Sequence, residues 1–103
     1  MKKLTSPYPK SVYERNAEIY QMMANPKRLE ILNILKGREV TVDELSRAIG
    51  TRKANTSQHL SLLRHLRLVK VRRSGKNAFY SLTNDRIVEL CRVLKELWED
   101  HRS

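Results

Sequence analysis

Residues 51 to 64, Thr-Arg-Lys-Ala-Asn-Thr-Ser-Gln-His-Leu-Ser-Leu-Leu-Arg, concentrate side chains able to hydrogen-bond to nucleobases. The carboxamides of Asn55 and Gln58 each present a donor beside an acceptor, the pairing that bridges the adenine edge in the major groove; Ser57, His59 and Arg64, with Arg52 and Lys53 ahead of them, can reach bases or phosphates. Thr56, Leu60 and Leu63 fit the core side of one helix. At about 100° per residue, Ala54, Asn55, Gln58 and Ser61 then fall on the far side, with Ser57 and His59 flanking. Any soluble helix has a polar outer face, so the pattern gains meaning only from its surroundings.

Those surroundings are basic. The chain carries a formal charge of +10, from 21 Lys and Arg against 11 Asp and Glu. No acidic residue occurs between Glu44 and Asp85, a stretch holding Arg47, Arg52, Lys53, Arg64, Arg67, Lys70, Arg72, Arg73 and Lys76, whereas the segment from Asp85 onward is close to neutral. Solvated surfaces normally intersperse both signs. A long one-sign segment points to a polyanion, nucleic acid first, with an acidic protein or a membrane surface as the alternatives.

Five helices and a hairpin would position these residues. Residues 1–10 read as a flexible basic arm and residues 11–103 as one domain. A first helix is expected over residues 11–24, with Val12, Tyr13, Ala17, Tyr20 and Met23 at helical spacing. Asn25-Pro26 is an N-cap followed by a first-turn proline, and the helix through Leu29, Ile31, Leu32, Ile34 and Leu35, ended by Gly37, should be the buried centre. Thr41-Val42-Asp43-Glu44 is a capping box, stapled by Val40 and Leu45, that opens a short helix burying Leu45, Ala48 and Ile49 and stopping at Gly50. The Asn55 helix follows within a few residues and runs to about Leu66, so the pair forms a helix-turn-helix unit. Val69 and Val71, then Ala78, Tyr80 and Leu82, alternate around Ser74-Gly75-Lys76-Asn77 as a two-stranded wing with a basic tip of Arg72, Arg73 and Lys76. A last helix from Asp85 to about Glu99 places Ile87, Leu90, Cys91, Leu94, Leu97 and Trp98 on one stripe. The fold class expected is mainly α with a small hairpin, a winged helix-turn-helix.

Composition narrows the function. The apolar runs are too short to span a bilayer, and Met1 to Pro7 lacks an apolar signal core, which favours a cytoplasmic protein. The one cysteine, Cys91, has no internal disulfide partner. It falls on the apolar stripe as an inert core thiol, with Arg92 and Lys95 the only support for a redox role. His59, His65 and His101 have no carboxylate or nucleophile at a telling spacing, and three glycines build no phosphate loop, so no enzyme and no cofactor are expected.

Ala24-Asn25-Pro26-Lys27-Arg28-Leu29-Glu30-Ile31-Leu32, Asp43-Glu44-Leu45, Ser57-Gln58-His59-Leu60, Arg72-Arg73-Ser74-Gly75 and Tyr80-Ser81-Leu82 together resemble the ArsR/SmtB family of winged-helix repressors, over about residues 12 to 100. The resemblance implies a dimer that leaves operator DNA when an inducer binds. Where the family has a glycine between recognition helix and wing, this chain has Arg67, so either Arg67 takes positive φ or the helix exits differently. Metal-sensing members use two cysteines where this chain has Thr41 and Asp43, or four ligands on the last helix where it has Asp85, Ile87, Trp98 and His101. Two ligands do not close a zinc shell, so no metal site is expected, and Asp85 reads instead as the cap of the last helix.

The central helices fill the core, which leaves Val12, Tyr13, Tyr20, Ile87, Leu90, Cys91, Leu94, Leu97 and Trp98 as a surplus apolar surface. They are expected to form a homodimer interface that sets two recognition helices about one DNA turn, roughly 34–36 Å, apart. DNA contacts are expected from Arg52, Lys53, Asn55, Ser57, Gln58, His59 and Arg64 on the helix, and from Arg72, Arg73, Lys76 and Asn77 on the wing. The alternative is a winged-helix module that docks protein or RNA and has no operator.

Overall fold

A computed structural model describes residues 3–102, with side chains as far as residue 100; part of the basic arm (Met1, Lys2) and the His101 side chain lie outside the described residues. The elements are α1 (Lys10–Met23), α2 (Pro26–Ile34), α3 (Val42–Ile49), α4 (Lys53–His65), β1 (Val69–Ser74), β2 (Asn77–Leu82), a 3-10 turn (Asp85–Val88) and α5 (Glu89–Arg102). This is the expected winged helix-turn-helix order. None of its helices is long and apolar enough to cross a membrane.

Local chemistry sets most boundaries. Asn25 accepts from the Arg28 amide at 3.1 Å, with Pro26 in the first turn of α2. Thr41 and Glu44 close their capping box in both directions. Lys27 reaches from α2 to donate to the Ile49 carbonyl at the end of α3, where a cation suits both the orphan acceptor and the helix dipole. Ile31, Leu32 and Leu35 of α2 are buried at the centre, against Leu45 and Ile49 of α3, Leu60 and Leu63 of α4, and Val69 and Leu82 of the wing.

The wing is an antiparallel hairpin paired from Val69 with Leu82 to Ser74 with Asn77. Its two-residue turn places Gly75 first with φ +59°, as a type II′ turn requires. Val40 adds an unforeseen isolated antiparallel bridge to β2, exchanging both backbone hydrogen bonds with Tyr80 at 2.9 and 2.8 Å.

Three expectations are corrected. Ala48 is exposed, because the interior face of α3 is Leu45, Ser46 and Ile49; Ser46 is admitted there by a hydrogen-bond partner on α4. The last helix does not start at Asp85: Asn84 caps a 3-10 turn by accepting from the Arg86 amide at 2.9 Å, and the α-helix begins at Glu89. Asp85 is therefore not the cap; its carboxylate accepts from the Gly37 amide at 3.3 Å, tying that turn to the end of α2.

The 14-residue α1 has no buried residue, and none of residues 89–100 of α5 is buried. Ile19, Met22 and Met23 pack partly on the core, while Tyr13 and Tyr20 face outward. The radius of gyration is 16.6 Å, against about 13 Å for a compact domain of this length. Two helices thus lie largely outside the packed body.

Candidate nucleic-acid interface

The turn between α3 and α4 depends on Gly50, whose φ of 66° and ψ of 42° are left-handed. Nothing lies within 4 Å of where a Cβ would stand, so the requirement is conformational rather than steric. Past this turn the Thr56 hydroxyl, fully buried, donates to the Arg52 carbonyl at 3.0 Å and accepts from Ser46 at 2.9 Å. Thr56, Leu60 and Leu63 are the buried residues of α4, as the sequence spacing requires. Locking that face sends Ala54, Asn55, Ser57, Gln58 and Ser61 to the solvent side.

The start of α4 suits an anion. Its N-cap, Arg52, makes no side-chain cap, so first-turn amides remain available beside the Arg52 charge. A polar basin lined by Ser46, Arg47, Gly50, Thr51, Arg52 and Asn55 opens there. Lys53 stands at its rim, paired with Asp43 at 3.0 Å with both side chains exposed, a contact that solvent screening leaves weak. Arg64 lies exposed near the other end of α4.

His59 is placed differently from its neighbours. It is half-buried, and its Nδ1 accepts from Arg28 Nε of α2 at 3.1 Å. The same guanidinium donates through Nη1 to the Met22 carbonyl at 3.0 Å. Burial, and next the Arg28 charge, hold the imidazole below the usual histidine range.

The wing residues divide in the same way. Arg73, Lys76 and Asn77 are exposed, and neither Arg73 nor Lys76 enters an ion pair among the described residues. Arg72 forks onto Glu39, Nε and Nη2 each 3.0 Å from a carboxylate oxygen, with its guanidinium 4.8 Å from the centre of the Phe79 ring. The hydrogen bond to Arg72 holds the Glu39 carboxyl below its ordinary range, and Glu39 in turn raises the guanidinium's.

Arg67 joins α4 to the wing with φ 62°, the only non-glycine residue with positive φ among those described. Its amide bonds to the Arg64 carbonyl and the Leu68 amide to the Leu63 carbonyl, each at 2.9 Å, which is a Schellman closure with an arginine in the usual glycine position. Thr83 braces the junction by donating to the Arg67 carbonyl at 2.8 Å.

An apolar cleft runs between α1, α2 and α5, lined by Tyr20, Met23, Leu32, Ile87, Leu94 and Trp98 among others. Leu90, Leu94, Leu97 and Trp98 are 43–55 % exposed; Val12, Ile87 and Cys91 are half-buried. The charges that could activate the Cys91 thiol are engaged elsewhere, Arg92 with Glu96 and Lys95 with Glu99. The Glu99 carboxylate beside Lys95 raises that ammonium above its usual range. Among the described residues no three His, Cys, Asp or Glu side chains are grouped to hold a metal ion.

Arg28, Glu39 and Asp43 shape the site but do not stand out in the sequence. Arg28 and Glu39 act on residues 31 and 33 positions away, beyond any spacing rule. Asp43 stands in the capping box and in the Asp43-Glu44-Leu45 motif, neither of which points to its contact with Lys53.

The model of bacterial regulatory proteins of the arsR family matches residues 25–71. The nodulation protein NolR of Rhizobium meliloti is 36 % identical over 104 residues, covering 97 % of this chain and 84 % of NolR. The regulator KmtR of Mycobacterium tuberculosis is 40 % identical over 73 residues (71 % of this chain), and a transcriptional repressor SmtB homolog of Synechocystis is 35 % identical over 83 residues (81 %). The chain spans 56 % of the length of KmtR and 63 % of that of the SmtB homolog. In structure it is similar to NolR of Sinorhizobium fredii, with TM-score 0.78 and 35 % identity over 94 % of this chain and 97 % of NolR. It shares its fold with a homodimeric winged helix-turn-helix domain of Mycobacterium bovis, with TM-score 0.77 and 24 % identity over 97 % of this chain and 93 % of that one.

Proposed function

This chain belongs to the arsR family of bacterial regulatory proteins, and on that footing we propose that it is a cytoplasmic, homodimeric repressor whose α4 reads an operator and whose wing grips the flanking backbone until an inducer releases it. The observation that carries the reading is the exposed face of Asn55, Ser57 and Gln58, on a helix whose other face is locked into the core by Thr56, Leu60 and Leu63. Small polar side chains there let the helix approach base edges closely, and carboxamides suit adenine. Arg73 and Lys76 supply wing charge for phosphates or the minor groove, beside Arg52, Lys53 and Arg64 on α4, with Asn77 at the tip.

Dimerisation is supported by α1 and α5. Each has 14 residues, about the length at which an isolated helix is marginal in water, and neither has a buried residue among those described. Mutual cover by a second copy removes their apolar stripes from water. Repression is the direction for which the Synechocystis relative is named.

The test is parallel selection from random-sequence pools of duplex DNA and of single-stranded RNA, followed by footprinting, light scattering and transcription from a promoter carrying the selected site. The expected result is a two-fold-symmetric site with half-sites about 34–36 Å apart, bound by a dimer, with transcription reduced. Enrichment of single-stranded RNA over any duplex, a monomer at micromolar concentration, or increased transcription would each overturn the corresponding part.

A further inference from the structure

We infer that Arg28 and His59 form the link that holds the reading helix in place against α1, making His59 a positioning residue and not a base-reading one; the inference rests on the DNA-reading role proposed for α4. One planar guanidinium ties three elements. From α2, Arg28 donates Nη1–H to the Met22 carbonyl in the last turn of α1 and Nε–H to Nδ1 of His59 on α4. An arginine fork holds two such acceptors in fixed relative orientation, which a single ammonium does not. Met23, next to the anchored carbonyl, lines the apolar cleft against α5. A displacement of α1 in that cleft therefore reaches α4 through one side chain.

The bond also fixes the state of the ring. For Nδ1 to accept, the imidazole must be neutral with its proton on Nε2. Protonation places an N–H against the guanidinium, so the hydrogen bond is lost and two cations face each other. Arg28 is the charged group facing His59 from α2, and α1 contributes the uncharged Met22 carbonyl. Gln58, Ser61 and Leu62 of α4, which line the same shallow pocket, carry no charge. The depressed proton affinity of the ring, caused first by burial and then by Arg28, agrees with this geometry.

The two roles open to His59 give opposite signs with pH. A histidine touching DNA gains a cation on acidification and binds tighter. A histidine serving as acceptor for Arg28 loses its bond, and α4 loosens.

The experiment measures affinity for a duplex selected by the wild type from a random pool, at fixed salt. Wild type, His59→Asn and Arg28→Gln are compared between about pH 7.5 and 5.5, the range in which histidine charge changes. Asparagine keeps an acceptor near the Nδ1 position and does not titrate; His65 and His101 remain in every protein, so the difference between profiles belongs to His59. Wild type is expected to weaken by a few-fold, less than tenfold, towards pH 5.5, because a ring held below its usual range takes up its proton only at the acid end, with His59→Asn nearly flat. Arg28→Gln should be weaker already at the higher pH, with unchanged helix content. Tighter wild-type binding on acidification, or parallel profiles for wild type and His59→Asn, would overturn the link. Failure of the DNA-reading role itself appears separately, as a pool from which no duplex is enriched. The link is also read without DNA, by nitrogen NMR of the imidazole: an unprotonated Nδ1 near pH 7.5 is expected, and a protonated one overturns the proposal.

Discussion

The Ser46 hydroxyl of α3 donates to the Thr56 hydroxyl of α4 across 2.9 Å, and both side chains are buried. Thr56 in turn donates its own O–H to the Arg52 carbonyl at 3.0 Å, so a chain of two hydrogen bonds runs from Ser46 through Thr56 to a helix-start carbonyl. Thr56→Val keeps the shape but strands the Ser46 hydroxyl, at an expected loss of about 1–3 kcal/mol. Thr56→Ser preserves both bonds and should cost less. Urea unfolding of the two variants checks the order; equal losses would show that packing alone, not the hydroxyl chain, holds α3 to α4.

Arg67 occupies a left-handed position that costs a side chain about 1–2 kcal/mol. Arg67→Gly removes that strain but adds freedom to the unfolded chain, worth roughly 0.4–1 kcal/mol, so it should be neutral to stabilising by up to about 1.5 kcal/mol. Arg67→Val, β-branched, should lose stability by about 1–3 kcal/mol. The midpoint of thermal unfolding orders the three proteins, and valine above arginine would contradict the strain argument.

Base-reading and phosphate-binding residues should fail differently. Gln58→Ala is expected to cost about 1–3 kcal/mol on the selected duplex and much less on random DNA. Arg73→Ala should weaken both similarly and flatten the salt slope by about one unit per protomer. Titrations on the two duplexes at several salt concentrations separate these outcomes. Equal losses on both duplexes from both variants would remove α4 from sequence reading.

Within the wing, Arg72 should matter less to DNA than Arg73, because its charge is already met by Glu39. Arg72→Ala is expected to change the salt slope less than Arg73→Ala. Glu39→Gln frees the guanidinium and should raise affinity for all sequences, steepening the slope by up to about one unit. Weakened binding in Glu39→Gln would instead mean that the pair orients the wing.

The capping box predicts an acid-sensitive contribution from Glu44. The Thr41 backbone amide, first among its partners, holds this carboxyl below its ordinary 4.5. A lowered folded value gives stability that is present above the unfolded value and lost as pH falls through the folded one. The stability difference between wild type and Glu44→Gln should therefore be constant above about pH 5 and shift against wild type below about pH 4.5. A difference independent of pH across that window would remove the carboxylate from the cap.

What the sequence made legible was local. Asn25, Thr41, Glu44 and Gly50 act within four residues, and each cap formed as its neighbours dictate. The Thr56, Leu60 and Leu63 stripe followed from helical period. Ala48 misled because apolarity was read without asking which face its neighbours already filled. Asp85 misled because Asn84, one residue earlier, bonds two residues ahead and winds the tighter turn. The bridge at Val40 and the partners of His59 and Arg72 depend on chain segments brought together only by the fold.

The junction at Arg67 has a mechanical consequence. The Schellman closure, buried Leu63 and Leu68 on either side of it, and the Thr83 brace tie the wing directly to the end of α4. The direction in which the wing leaves α4 is therefore set by the junction, not by a free loop. In the proposed complex, a groove that does not match this geometry would have to change its twist or kink, at an energy that depends on the steps being deformed. Pliant pyrimidine–purine steps between the helix and wing footprints would then be selected at positions that no side chain touches.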